Sequence, residues 1–335
     1  MSDTPPPGDN HAPADSVANS LVVCVAIVTY RRANELAGLL DALLTIERPA
    51  DCSLHLIIVD NDADGSAAAV VRGFMERGTE PTRYVIEPQR GIPFARNRCM
   101  AEAMAGNADV LVFIDDDELP SHQWLARLVD HYRTKGHQLV GGPVAMRAEP
   151  TGALAWSQSL VFSSIVAWAN RKARRSNRRA ERGSPVTVVT NNWLCDLNFI
   201  SDKKLAFRTD YAASGGSDAV FFRDAVAKGI RHGWCPDAVV YDRLPRQRIS
   251  LAYQFRRARA QSTNNFHMRH PAIDPPQRLR TIAVAIVRIA IGVIGIFLPV
   301  NGAASLVMGV RSIGWGVGRF DALAGKRSRF YNLSG

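Results

Sequence analysis

Four consecutive acids, Asp115, Asp116, Asp117 and Glu118, close the apolar run of DVLVFIDDDE. Carboxylates this crowded repel one another unless a cation sits among them. Oxygen ligands suit Mg2+ or Mn2+, ions that keep several waters and bind through one or two carboxylates plus substrate phosphates. Alternate side chains of an extended strand share a face, so Asp115 and Asp117 point the same way, and Asp117 is assigned to the metal. An acidic N-cap ahead of HQWLARLVDHY accounts for one of these acids and leaves the others unexplained. Two more acids stand at comparable places. Asp60 ends the apolar run of LHLIIVDND and needs a partner there, and Asp218 opens a helical stretch after the glycines of SGGSDAVFF.

The elements that position these residues alternate. LVVCVAIVTY (21–30) reads as a buried strand, and NELAGLLDALLTI repeats leucine at helical spacing. LHLIIVDND is a second strand, GSAAAVVRGFMERG a second helix, RYVIEP a third strand, RNRCMAEAMAG a third helix, and DVLVFIDDDELP a fourth strand. That order implies an α/β fold with a mostly parallel sheet flanked by helices, whose strand carboxyl ends hold the ligand site. Thr29, Asp60 and the acids from Asp115 to Glu118 all fall at such ends. Beyond Pro150 the pattern loosens, then resumes with VTVVTNNWLCDLNFIS, SGGSDAVFFRDAVAKGI, DAVVYDRLPRQ and the basic helix SLAYQFRRARAQSTN, a second half completing one site.

Together AIVTYRR, IIVDND, RGIPFARN, IDDDE and SGGSDAVFF, in this order, resemble the inverting family 2 glycosyltransferases of the GT-A fold, with LPRQRISLAYQFRRA similar to the basic segment that follows. The resemblance runs from about Val22 to Gln261, and within the family it is nearest to bacterial exopolysaccharide transferases of the succinoglycan type, which end in a similar apolar tail. It implies a nucleotide-sugar half (21–120) and an acceptor half (121–268), with Thr29, Tyr30 and Arg31 bordering the nucleotide and Asp60 accepting from a uracil-like base edge. Asp115 and Asp116 belong to the same nucleotide-sugar set, and Arg96 can bring its fork of donors to the pyrophosphate. Asp218 is then the general base that takes the acceptor hydroxyl's proton, while Mn2+ or Mg2+ accepts charge on the leaving diphosphate. The family's usual Glu before this Asp is Ser217 here, which leaves open an inert nucleotide-sugar-binding scaffold subunit as the alternative. Asn191, Asn192 and Trp193 fall where the resemblance places sugar or acceptor contacts, and Arg248, Gln254 and Arg257 could hold phosphate. Ala258 stands where processive relatives carry the Trp of Gln-x-x-Arg-Trp, which points to addition of a single sugar.

Composition narrows the setting. With 335 residues, 47% of them hydrophobic, and a net charge of +10, the chain is neither disordered nor a disulfide mini-protein. Five cysteines without a C-x-x-C pair read as reduced packing residues in the cytosol. Residues 1–20 read as a disordered lead-in without a secretory signal. Seven of the thirteen residues in NRKARRSNRRAER, Asn170 to Arg182, are Lys or Arg, which suits either a solvated loop or lipid headgroups, and no nucleic-acid-binding motif accompanies them. From Thr281 to Val310 the chain is almost wholly apolar, flanked by basic residues and broken at Pro299 and Gly302. It reads as a hairpin of two short helices dipping into one leaflet, within a membrane-associating region (269–335). The expectation is a transferase on the cytoplasmic face of a bacterial inner membrane, whose partners are a UDP-sugar donor, a lipid-linked saccharide and anionic lipid, and no nucleic acid.

Overall fold

The computed structural model describes residues 20–78, 80–148, 154–184, 186, 188, 191–212, 216–270, 274–298 and 302–326. In chain order the elements are β1 (Leu21–Thr29), α1 (Ala33–Leu43), β2 (Cys52–Asp60), α2 (Ala68–Met75), β3 (Thr82–Ile86), α3 (Ile92–Ala105), β4 (Val110–Asp115), β5 (Glu118–Pro120), α4 (Trp124–Lys135), β6 (Leu139–Gly141) and β7 (Val144–Ala148). They continue with α5 (Trp156–Glu181), β8 (Asn192–Asp196), α6 (Leu197–Asp202), α7 (Ser217–Ala227), β9 (His232–Trp234), β10 (Val240–Leu244), α8 (Leu251–Arg269), α9 (Pro275–Phe297) and α10 (Ser305–Leu323). The lead-in expected over residues 1–20 falls, except for Ser20, outside the described residues.

A seven-stranded sheet runs in the order β3-β2-β1-β4-β8-β6-β9. The first four strands in that order are parallel neighbours, and β8 is antiparallel to both β4 and β6. Strand alternation explains why both faces are covered. Val23, Val25 and Ile27 of β1 join a core with α1, α2 and α4, whereas Cys24 and Ala26 join a second core with α3 and the rings of Trp193, Phe207 and Phe221. A smaller sheet, β5-β10-β7, begins where the chain leaves β4. Asp116 and Asp117 form that crossing, so the acidic run sits at the junction of the two sheets.

The second half departs from the expected pattern in two places. The basic run is no loop but the second half of α5, a 26-residue helix. Arg, Lys and Ala are strong helix formers. Its first half is anchored by the buried stripe of Val161, Ser164, Ile165 and Ala169. The apolar tail is also not a symmetrical hairpin. α10 lies against α8, where a Cβ at Gly314 would stand 2.5 Å from the Phe255 carbonyl and one at Gly318 2.3 Å from that of Arg259. Ser262 Oγ donates to the Trp315 carbonyl at 2.7 Å, and Arg259 pairs with Asp321. Only α9 keeps an apolar face outward, with Val287, Ile291, Ile294 and Phe297 exposed, and its inner side meets α10 at Gly292 and Gly309. Of the break between them, Pro299 lies outside the described residues and Gly302 has φ of +59°.

Candidate active site

Register brings the polar strand ends together. Thr29 of β1 pairs with Asp60 of β2, and Val28 pairs with Asp115 of β4, so the carboxyl ends of three parallel strands form one ledge. Gly91 opens α3 beside it with φ of +140°, and a Cβ there would stand 2.7 Å from that of Ala212. The α3 side chain facing the ledge is Arg96, 3.8 Å from Asp115 and stacked on the Phe207 ring at 5.6 Å.

The four acids have separate environments. Asp115 keeps 44% of its side chain open. Asp116 points inward, accepting from Thr29 Oγ1 at 2.8 Å and from Arg32 Nη1 at 3.2 Å. Asp117 lies between Arg32 Nη1 at 3.1 Å and Arg248 Nη1 at 3.8 Å. Glu118 is buried, accepting from Asn191 Nδ2 at 2.8 Å and from the Asp115 amide at 3.2 Å. Directly opposite it across the antiparallel β5-β10 pair is Asp242, whose buried Oδ1 has no hydrogen-bond partner among the described residues.

Loss of water contact is the first cause of what happens to these carboxyls, and mutual repulsion is another. At Asp115 the cleft walls thin the surrounding water although 44% of its side chain is open, and it is pushed up to about 6, with Asp117 and Asp218 adding to the rise and Arg96 opposing it. Asp116 and Asp242 are each pushed up to about 7, and Glu118 well above its ordinary value. Negative charge here exceeds what Arg32, Arg96 and Arg248 offset. Among the described residues no three His, Cys, Asp or Glu side chains form a metal cage. An exposed carboxylate with a second beside it, and surplus negative charge, fit a divalent cation that shares its ligands with a diphosphate.

Asp218 lies in the first turn of α7, after Gly216 with φ of +88°. Its carboxylate makes no hydrogen bond or ion pair with a described residue, yet its charge bears on Asp115 and on Lys172. The glycine turn before it reaches outside the described residues at Ser214 and Gly215. Ser217 is buried as the helix's first residue.

Several expected contacts prove to be internal supports. Asp60 has no exposed surface, and it accepts from the Asp62 amide at 3.0 Å, the Ala67 amide at 2.8 Å and Tyr84 Oη at 2.8 Å. Both its oxygens are taken, so it shapes the loop after β2 and offers nothing to a base edge. Thr29 is likewise buried under Asp116, whereas Tyr30 stands between the guanidinium groups of Arg31 and Arg90, at 5.3 and 4.9 Å from its ring. Arg31 is held in the left-handed region, φ +52°, and donates to Asp62. Trp193 is 1% exposed, packed on Phe113, Phe207 and Phe221, and is core rather than a sugar platform. Asn192 accepts from Trp124 Nε1 at 2.8 Å and donates to the Pro143 and Ala238 carbonyls. Gln254 is buried, donating to the Arg248 carbonyl at 3.0 Å and accepting from Arg311 at 2.9 Å, so it steadies two arginines instead of meeting phosphate. Asn191, Arg248 and Arg257 remain at the cleft. Arg32 and Asp242 were not singled out by sequence reasoning, and Lys172 and Arg311 were read only as part of the basic run and of the basic flank of the apolar tail. The doubled arginine of TYRRAN was the available sign for Arg32, and nothing local marks Asp242.

Comparison with known proteins agrees with this architecture. The profile described as Glycosyl transferase family 2 matches residues 24–199. The succinoglycan biosynthesis protein ExoM of Rhizobium meliloti is 34% identical over 239 residues, 71% of this chain and 72% of its own. A galactofuranosyltransferase of Mycolicibacterium smegmatis is 36% identical over 102 residues, covering 30% of this chain and 31% of its own. Among solved structures, a mannosyltransferase from Pyrobaculum calidifontis in complex with GDP-Man and Mn2+ superposes with a TM-score of 0.52 at 20% identity, covering 91% of this chain and 76% of that one. S. aureus TarS (1–349) in complex with UDP superposes with a TM-score of 0.50 at 11% identity, covering 91% and 92%. At those identities the structures speak for the fold, GT-A-like, while the profile and the ExoM match speak for the family. This chain belongs to glycosyltransferase family 2.

Proposed function

We propose that the enzyme transfers one sugar, with inversion, from a UDP-sugar to a lipid-linked saccharide during exopolysaccharide assembly at the cytoplasmic face of the bacterial inner membrane. The observation that carries this reading is Asp218, a carboxylate without a hydrogen bond or ion pair to any described residue and near enough to the acidic ledge for its charge to act on Asp115. The acceptor hydroxyl attacks the anomeric carbon, Asp218 takes its proton, and the carbon–oxygen bond to the diphosphate breaks with its electron pair leaving on the diphosphate. Arg96 offers the diphosphate a planar fork, and Tyr30 and Arg31 border the nucleotide. Bound Mn2+ or Mg2+ would neutralise charge developing on the leaving group. Asp117 would hold that ion, with Asp115 beside it, and the P. calidifontis complex with GDP-Man and Mn2+ supports such chemistry in this fold.

The acceptor and its setting rest on other features. Similarity to a succinoglycan biosynthesis protein supports a polysaccharide precursor. α9, long and apolar enough to cross a membrane and mostly exposed, supports a membrane setting, as do the cations of α5. Nucleoside diphosphate release from a panel of sugar nucleotides, in native lipid extract with Mn2+, Mg2+ or EDTA, tests the whole. Release from one donor is expected, lost with EDTA, in Asp117→Ala and in Asp218→Asn, with donor binding kept in Asp218→Asn. Full turnover by Asp218→Asn would overturn the assignment of the base.

A further inference from the structure

A cavity of about 1020 Å³ lies away from the strand ends, between the second half of α5 and the start of α10. Seven of its thirteen lining residues are Lys or Arg and none is Asp or Glu, so the described wall supplies no compensating charge. Arg171, Lys172, Arg175 and Arg179 supply cations, and Trp168 and Met308 supply apolar surface. Guanidinium forks and ammonium groups gathered around one concavity match phosphate oxygens.

Lys172 is close enough to Asp218 for their charges to interact, and Arg257 and Arg311 stand beside it. Arg311 lies over the Trp168 ring at 4.3 Å and is held by Gln254. Among the described residues the Lys172 ammonium has no hydrogen bond or ion pair, and its position is exposed to the cavity. Ala304 and Met308 line the wall near Trp168, where the Val307 amide donates to Ser164 Oγ, and the residue after Met308, Gly309, meets Ile296 of α9, whose outer face is apolar and exposed. The cationic basin therefore has the charge of the candidate base within reach of Lys172 and an apolar helix behind Met308.

We infer that this cavity holds the diphosphate of a lipid-diphosphate-linked acceptor, with the saccharide directed toward Asp218 and the lipid leaving past Met308 toward α9. The inference rests on the reading of the acceptor as a lipid-linked saccharide and names the site that would bind its anionic linkage. The donor's diphosphate belongs at the strand ends, so the two anionic groups have separate seats.

Calorimetric titration of the full chain in mild detergent tests this, with UDP and Mn2+ saturating the donor end and geranyl diphosphate, inorganic diphosphate and geraniol as probes. Geranyl diphosphate should bind more tightly than either half-probe. Its dissociation constant should rise at least about tenfold, or about 1.4 kcal/mol, in Arg171→Gln/Arg175→Gln/Arg179→Gln. A charge-matched triple elsewhere, Arg72→Gln/Arg77→Gln/Arg223→Gln, should bind as the parent does. UDP affinity reports whether the first triple is folded, and Lys172→Met, a single change on an exposed position, decides the matter if it is not. Unchanged affinity for geranyl diphosphate would overturn the inference, as would inorganic diphosphate binding equally well. So would loss of binding to phosphatidylcholine–phosphatidylglycerol vesicles with geranyl diphosphate affinity intact, which would make the cations a plain membrane contact. Binding is read without turnover, so Asp218→Asn should titrate like the parent, and a failed transferase reading would show separately as absent nucleoside diphosphate release.

Discussion

Asp116 is fixed from two sides, by Thr29 Oγ1 at 2.8 Å and Arg32 Nη1 at 3.2 Å, and that same nitrogen reaches Asp117 at 3.1 Å. Thr29→Val removes a donor to a buried carboxyl and keeps the shape. We expect a loss of about 1–3 kcal/mol in urea unfolding, with KM for the donor nearly unchanged. A large rise in KM with stability intact would return Thr29 to the ligand. Trp193 divides core from sugar platform in the same way. Trp193→Ala should cost about 3–5 kcal/mol, whereas Trp193→Phe should fold and keep the parent's acceptor KM. An acceptor KM raised tenfold in a stable Trp193→Phe protein would contradict its core position. These cases show what was legible in the residues. The gathering of the strand-end acids, Asp218 and the arginines around one cleft could be read because their types are costly to bury without a purpose. Asp60, Asn192 and Gln254 carry equally polar types, yet tertiary partners up to 68 positions away absorb them, and no local spacing announces that.

His131 Nε2 in the last turns of α4 and His137 Nδ1 in the short turn that leads to β6 approach to 3.0 Å with their rings stacked. Gly233 of β9 makes room for them, for a Cβ there would stand 2.2 Å from His137 Nδ1. Burial first, and then neighbouring charge, hold both rings below the ordinary value of 6.5, with Asp130 the opposing charge near His131 and Arg231 and His232 adding to the effect at His137. The folded chain then binds fewer protons here than the unfolded one as pH falls through about 6.5. Stability from this pair is present above that pH and is lost below it, until the folded rings also titrate. Urea midpoints at pH 8 and pH 5.5 should differ more for the parent than for His131→Gln/His137→Gln. Equal differences would exclude the pair as the source. The alternating strands and helices of the first half were readable because their apolar periods are clean. α5 was not, since its cationic half carries no apolar stripe and is continued as a helix by propensity and by its anchored first half.

At the scale of the whole molecule the apolar C-terminal sequence has two functions that a hydropathy reading merges. α10 closes over α8 through glycine contacts and the Arg259–Asp321 pair, so it is part of the body that carries Arg248 and Arg257. α9 is the outlying helix, attached along one stripe and apolar on the side facing away. Truncation at Pro275 would therefore strip α8 of its cover as well as removing α9, and a soluble or aggregated product would say little about anchoring. Val287→Gln/Ile291→Gln/Ile294→Gln is the cleaner change. These residues are 55%, 58% and 54% exposed, and Gly292 and Ile296 still meet α10 beside them. Each loses about 1.5–3 kcal/mol of favourable transfer from water when its apolar side chain is replaced, enough together to release a weakly inserted helix. The variant is expected to move from the membrane pellet to the supernatant while UDP binding persists, and the remaining pelleted fraction should fall further with salt, because the α5 cations act over about 10 Å at 0.1 M. If the variant stays fully in the pellet at high salt with UDP binding intact, α9 is not what holds the enzyme to the membrane.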